Sequence, residues 1–543
     1  MQYCNRFNAI DFIRASTVPN RYGGGRDCSL NRSRSSTLKN SVQLITYVDR
    51  LGGGGLRELA ALLGPGGALA GVFGGVHLLP FFHPIDGADA GFDPIDHTRV
   101  DPRLGTWHDL AALARHLDVM GDVIVNHMSS HSPQFLDFSA HGDRSRYAGM
   151  FLTLDTVYPQ GAREHDLLSV YRPRAGLPFS VTRLANGDRK ILWTTFTPQQ
   201  VDIDVAHAEG RAYLDGILAA FATNGIRMAR LDAVGYAIKK PGTSCFLLPE
   251  TLDFISDFAA HAKTLGVEVL VEVHAHHQRQ IEIARRVDWV YDFALPPLLL
   301  HALAFKTAVP LTAWIAQRPR NAVTVLDTHD GIGIIDIGAD AADPQRSPGL
   351  VPPEELDQLV ETIHKLSRGA SRAATGEAAC NLDLYQVNCT YFDALGGDEE
   401  AYLIARAVQF FVPGVPQVYY VGLLAGHNDI ELLRQTGVGR DINRHRFDAA
   451  EIAQSLARPV VRQLLRLIGL RNEHPAFDGV FSVEPTSASA STACIHLRWA
   501  AGPDWAQLQV DFATRSASLA WSSQAGPQHW QIGPPLASML VDG

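Results

Sequence analysis

Arg230 and Asp232 stand two places apart in the stretch "GIRMARLDAVGY" (225–236). In an extended strand, residues i and i+2 point to the same face, so a guanidinium and a carboxylate would sit side by side at the end of an apolar run. Opposite charge there favours the ionised carboxylate. A structural ion pair has the same pattern, and this stretch alone leaves both readings open. Other polar residues fall in similar places, at the C-terminal ends of apolar runs. They are Asp89 with Asp93, His127, Glu272, and His329 with Asp330.

Three carboxylates so placed suit glycoside cleavage with retention. That chemistry uses one ionised carboxylate as nucleophile and a protonated one as general acid, about 5–5.5 Å apart. Asp232 beside Arg230 fits the attacking group. Glu272 has no arginine next to it in sequence, and burial near other carboxylates would raise its pKa as a general acid requires. Asp330 fits a group that binds sugar hydroxyls and stabilises an oxocarbenium-like transition state. A divalent-metal site built from the same carboxylates competes with this reading. The interleaved histidines and arginines suit a sugar pocket better than an oxygen-rich metal cage.

The elements that must hold these residues are short apolar runs alternating with amphipathic helical stretches. The runs are 41–49, 75–82, 122–129, 226–236, 267–274, 289–296, 322–330 and 414–422. Near-continuous apolar character marks strands buried on both faces, as in parallel sheets. Helical patterns over 108–119 and 211–224 separate several of them. Eight such strands predict an α/β fold, a (β/α)8 TIM barrel over 40–476, whose C-terminal rim would carry the site. Two intervals are too long for plain loops, about 127–206 and about 332–396, and are expected to be inserted subdomains after strands 3 and 7. Past 477 the pattern alternates, as in "ACIHLRWA" and "WAQLQVDFA". A small antiparallel β domain is expected over 477–543.

Bulk composition narrows the class. The chain of 543 residues is 46% hydrophobic and 19% charged, with a formal net charge of −10. That is ordinary for a globular protein. No apolar run reaches the roughly 18–20 residues that span a bilayer, so a membrane role is not expected. No dense Lys/Arg run breaks the acidic balance, so no nucleic-acid partner is expected either. Six cysteines are scattered without a CxxC pair, which predicts free thiols in a reducing, cytoplasmic setting. Residues 1–39 are rich in Arg, Ser, Asn and Gly and lack a signal-type apolar core. They are expected to be a disordered or non-native extension, and Asp11 and Asp27 count against a transit peptide.

The strings "DVIVNH", "MARLDAVGY", "VEVH" and "LDTHD" resemble, in order, the four motif regions of the α-amylase superfamily (glycoside hydrolase family 13). Further strings resemble its sucrose phosphorylase group. These are "GADAGFDPIDH" (87–97), "YRPRAGLPF" (171–179), "TPQQVDID" (197–204), "YDFALPPLLLHAL" (291–303), "LDLYQVN" (382–388) and "GRDINRH" (439–445). The resemblance implies a double displacement, with Asp232 as nucleophile, Glu272 as acid/base and Asp330 as transition-state stabiliser. It places glucose contacts on Asp89, Phe92, His127, Phe196, Arg230, His329 and Arg440, with Phe92 and Phe196 stacked on the ring. It places the acceptor site on Tyr171, Arg174, Asp383, Tyr385 and Gln386, and we expect phosphate contacts from Arg174, Tyr385 and His274. The expected substrates are sucrose and inorganic phosphate, converted to α-glucose 1-phosphate and fructose with no cofactor and no metal.

Alternatives within that group are phosphorylases of sucrose 6′-phosphate, glucosylglycerol or glucosylglycerate, and outside it a catalytically inactive barrel used for binding. His276 and His277 stand where the group often has aromatic residues, and they are expected to border the acceptor site. Asn126 stands at a position that classical amylases use for calcium, although no amylase-type calcium loop accompanies it. Monomer and homodimer are both open.

Overall fold

The apolar runs close into a barrel. The computed structural model describes residues 38–534, apart from 88, 173–175, 341–343, 377–385 and 486–491. Eight parallel strands follow one another around the ring: β1 (Gln43–Thr46), β2 (Gly75–Leu78), β3 (Asp118–Ile124), β4 (Ile226–Asp232), β5 (Glu268–Val271), β6 (Trp289–Asp292), β7 (Ala322–Thr324) and β8 (Val415–Tyr419). β8 closes the ring against β1, with Gln43 opposite Gln417. Val76, Val123, Leu231, Val269 and Val323 are fully buried, as strands covered on both faces by neighbouring side chains must be. Closure leaves no free edge and gathers the strand ends on one rim.

Helices cover the outside, among them Leu56–Leu63, Ala208–Thr223, Pro249–Thr264, Glu399–Phe411 and Pro459–Glu473. One boundary differs from the helical pattern read over 108–119. The helix there runs only over Trp107–Leu113, capped by Thr106 with Asp109 reaching back in a capping box. β3 begins at Asp118, four residues before the apolar run 122–129. Pairing decides this, because Asp118–Gly121 lie in register with Gly75–Leu78. Gly121 interrupts the apolar pattern, yet a side chain there would meet the Phe221 ring at 3.1 Å. The helix packs tightly on the strand at this point, and a larger residue would press on the Phe221 ring.

Two excursions rise from the rim. After β3, His127–Ser129 pairs antiparallel with Gln200–Asp202, and Phe179–Arg183 forms a hairpin with Arg189–Trp193. After β7, Ile332–Gly333 pairs with Gln386–Val387, and the helix Pro353–Leu366 lies between them in sequence. At the C-terminus five antiparallel strands form a separate sheet: β9 (Val480–Val483), β10 (Cys494–Ala501), β11 (Asp504–Asp511), β12 (Ser516–Trp521) and β13 (Gln528–Ile532). Along β10 the side chains of Ile495, Leu497 and Trp499 turn inward in alternation. Trp499 donates its indole N–H to the Phe411 carbonyl at 2.6 Å, tying the sheet to the barrel's outer helix. Among the described residues Cys245, Cys389 and Cys494 are free thiols, and no helix is long and apolar enough to cross a membrane.

Candidate active site

β4 brings Arg230 and Asp232 to the rim on one face, as their spacing requires. Arg230 is 2% exposed. Its Nη1 donates to Asp122 Oδ1 at 2.5 Å and to Asp232 Oδ1 at 2.9 Å. Its Nη2 faces Asp330 Oδ2 at 3.7 Å and Glu272 Oε1 at 4.0 Å. One guanidinium therefore touches four carboxylates. Ala233, directly after Asp232, holds a left-handed backbone (φ 53°), and its N–H donates to Glu272 Oε2 at 3.3 Å. A non-glycine residue in that region stores strain that the surrounding packing must sustain.

Arg230 favours the ionised form of Asp232, as its place in sequence suggests, but it acts against opposing influences. Burial raises the Asp232 carboxyl well above the usual carboxylate range, and Glu272, Asp122 and Asp330 add to this against the pull of Arg230. Burial would raise Asp330 as well, but His329, Arg440, Arg230 and Arg444 together hold it well below that range. Asp330 is thus held as an anion, while the charge that a nucleophilic Asp232 needs rests on Arg230 working against burial.

A cavity opens above these groups. Asp232, Glu272 and Asp330 line it with Asp89, Phe92, His127 and Phe196, and with His274, His329, Gln386 and Arg440. Phe92 stacks on His329, with centroids 4.9 Å apart and planes at 8°, while the Arg230 guanidinium lies 5.7 Å from its centre. His127 donates from Nε2 to the Phe92 carbonyl at 3.0 Å and packs edge-on to Phe196. Arg440, which the sequence alone would leave on the surface, reaches in from the turn Gly439–Asn443. Its Nη1 lies 2.9 Å from Asp330 Oδ1 and 3.9 Å from Asp89 Oδ2. His274 directs Nε2 toward Glu272 Oε1 at 3.8 Å and Gln386 Nε2 at 3.1 Å.

Other expected positions fall differently. Tyr171 stacks on Phe246 (4.5 Å) and Tyr236 (6.2 Å), one layer behind the lining. Arg174, Asp383 and Tyr385 lie outside the described residues. His276 and His277 do not line the cavity. His276 caps the helix His277–Ala284 and points Nε2 at the Pro348 carbonyl, while His277 packs edge-on to Trp314. The helix start turns both rings away from the cavity.

Sequence reasoning missed Gln200, Ala233 and Tyr236 in the lining. It also missed Asp122, although this residue heads the motif "DVIVNH" and sits beneath Arg230. Lys239 was missed too. Its ammonium, 2% exposed, lies 2.7 Å from Asn126 Oδ1 and 2.8 Å from Asp202 Oδ2 and also donates to the Tyr236 carbonyl. A cation of the chain itself thus sits on Asn126, a position that classical amylases use for calcium.

A family model of the alpha-amylase catalytic domain matches residues 71–290. The chain is 57% identical to a sucrose phosphorylase of Agrobacterium vitis over 89% of its own length and 97% of the relative's. The chain belongs to the sucrose phosphorylase family. A second member, the sucrose phosphorylase of Bifidobacterium adolescentis, is 53% identical over 90% of this chain and 97% of that one. The crystal structure of a sucrose 6F-phosphate phosphorylase from Thermoanaerobacter thermosaccharolyticum superposes with a TM-score of 0.83 at 39% identity, covering 92% of this chain and 98% of that one. Family membership accounts for the closed parallel barrel with its two excursions and C-terminal sheet.

Proposed function

We propose that this protein cleaves sucrose by phosphorolysis, giving α-glucose 1-phosphate and fructose. The observation that carries the reading is the convergence of Asp232, Glu272 and Asp330 on one buried guanidinium inside an aromatic-walled cavity. Identity of 57% to a named sucrose phosphorylase, against 39% to the sucrose 6F-phosphate enzyme, supports sucrose as the donor.

In the proposed reaction Glu272 gives its proton to the fructosyl oxygen as the bond to the anomeric carbon breaks. Asp232 attacks that carbon from the opposite face and forms a β-glucosyl ester. Asp330, held as an anion by its arginines, stabilises the positive charge that develops on the ring. Phosphate then attacks the same carbon, loses its proton to Glu272 and releases Asp232, which restores the α configuration. Phe92 and Phe196 wall the glucosyl site, and Arg440 and Asp89 grip its hydroxyls. His274 and Gln386 face the acceptor side, to which the family resemblance also assigns Arg174, Tyr385, Asp383 and Tyr171. No metal enters this scheme, because Lys239 supplies the positive charge at Asn126 and Asp202. The substrates are small molecules, the setting is the cytoplasm, and a homodimer is compatible with the reading.

The test is a paired incubation of the pure protein with sucrose, with and without phosphate. Glucose 1-phosphate equal to fructose, with little free glucose, is expected. Equal fructose and free glucose regardless of phosphate would make the enzyme a hydrolase, and no reaction would reject sucrose as the donor.

A further inference from the structure

His274 has a buried partner that the reaction scheme does not use. Asp336, wholly buried, accepts at Oδ2 from His274 Nδ1 at 2.8 Å. Its Oδ1 accepts from the Ala275 N–H at 3.2 Å and from Gln280 Nε2 at 2.9 Å. The carboxylate is thus saturated and fixed, and the His274 ring is pressed flat against Phe293 with centroids 3.9 Å apart. The backbone above the pair fits only glycine. A Cβ on Gly333 would lie 2.4 Å from Asp336 Oδ2 and 2.8 Å from His274 Nδ1. Gly333 in turn pairs with Gln386, so the second excursion closes directly over this dyad.

We propose that Asp336 is a positioning residue that holds His274 as an imidazolium facing the acceptor side of Glu272, and so equips the site for phosphate. This rests on the phosphorolysis reading above. The need is electrostatic. Once fructose has left, Glu272 is an anion, and an incoming phosphate anion must approach that carboxylate. A fixed positive charge 3.8 Å from Glu272 Oε1 offsets the repulsion. Among the described residues, charged groups facing His274 are Asp336 behind it, Glu272 from the end of β5 and Asp330 from the loop after β7. Arg230 lies across the same Glu272 oxygen. Burial disfavours the imidazolium, but Asp336 first, then Glu272 and Asp330, outweigh it and raise His274 above its ordinary value. A charged ring donates from both nitrogens, so the Gln386 amide, which here presents Nε2 at 3.1 Å, must rotate to offer its oxygen instead.

The decisive comparison is Asp336→Asn against the unchanged enzyme in two assays across pH 5.5–8.5 (about the span in which histidine titrates). One measures the KM for inorganic phosphate in phosphorolysis. The other measures exchange of labelled fructose into sucrose, which needs the same glucosyl transfer but a neutral acceptor. The phosphate KM should rise about tenfold near neutrality while exchange falls less than about threefold. The pH above which phosphate use declines should move to lower pH, because the neutral amide no longer favours the imidazolium, and Asp336→Glu should return part of it. Parallel losses in both assays, or an unchanged phosphate KM and pH limb, would overturn the proposal.

Should the Asn variant not fold, the unchanged enzyme still decides the matter. The His274 ring signal, assigned by its absence in His274→Gln, should titrate above about 6.5 and shift on adding phosphate. A midpoint at or below that value rejects the imidazolium. An unchanged enzyme that makes no glucose 1-phosphate rejects the phosphorolysis reading itself, which is a different result from either of these.

Discussion

Nη1 of Arg230 lies closer to Asp122 (2.5 Å) than to Asp232 (2.9 Å), although Asp232 is the residue beside it on the strand. Asp122, fully buried on β3, also accepts from His77 at 3.0 Å. Burial works against its charge, yet His77 and Arg230 bring it down to about 2. Asp122 is therefore the anchor that sets where the guanidinium stands under the three rim carboxylates.

Replacing Asp122 by Asn should release that anchor. Misplacement of reacting groups by about an ångström costs on the order of a hundredfold in rate, and a fall of that size in kcat for glucosyl release is expected. Steady-state rates on a variant of unchanged circular dichroism check it. A rate within about threefold of the original would show that Asp232 alone positions Arg230.

Asp232→Asn should abolish both glucose and glucose 1-phosphate release while raising the melting temperature. The carboxyl of Asp232 is raised by burial first and then by its acidic neighbours, whereas an unfolded chain leaves it ionised above its ordinary 3.8. At neutral pH the native state is thereby destabilised, and a neutral amide of the same shape removes that cost. Calorimetry of the two proteins at pH 7 measures the difference. A lower melting temperature in the variant would refute the account.

Lys239→Ala should destabilise the protein strongly. Removing one partner of a buried pair leaves the other charge unpaired, at a cost of about 3–5 kcal/mol. Asp202 is wholly buried and pairs across to His127, so the loss should loosen the first excursion where it meets the glucosyl site. Denaturant unfolding measures the change. Chelation should leave the unchanged enzyme fully active, and activity lost to a chelator and restored by calcium would contradict the role given to Lys239.

Acid should weaken the fold before most carboxylates titrate. His97 is fully buried, with Nε2 donating to the Asp122 carbonyl at 2.9 Å. Burial brings it from its ordinary 6.5 to about 4. Its folded pKa is depressed, so the unfolded chain binds the proton first as pH falls from 6.5 toward 4, and stability is lost across that window. His77, His127 and His329 are lowered by burial in the same sense. His274 acts oppositely, its contribution present below 6.5 and fading as pH rises through its raised value. Urea midpoints should therefore fall between pH 7 and pH 5, and His97→Gln should flatten the slope.

Periodicity and motif order alone determined the eight-stranded barrel, the alternating C-terminal sheet and the three rim carboxylates. Parallel strands buried on both faces must be apolar until their exposed ends, so polar residues there stand out in one dimension. What lies beside each residue across the ring was decided by tertiary structure. Asp122 under Arg230, Lys239 on Asn126, and Asp336 behind His274 join residues 108, 113 and 62 positions apart, and no local pattern encodes such pairs. The fold also turned His276 and His277 away from the cavity, because a helix begins there. The electrostatic balance at Asp232 belongs to the same class. Adjacent sequence suggested an ion held by its neighbour two places away, but four carboxylates share that arginine, and their number depends on how the barrel closes.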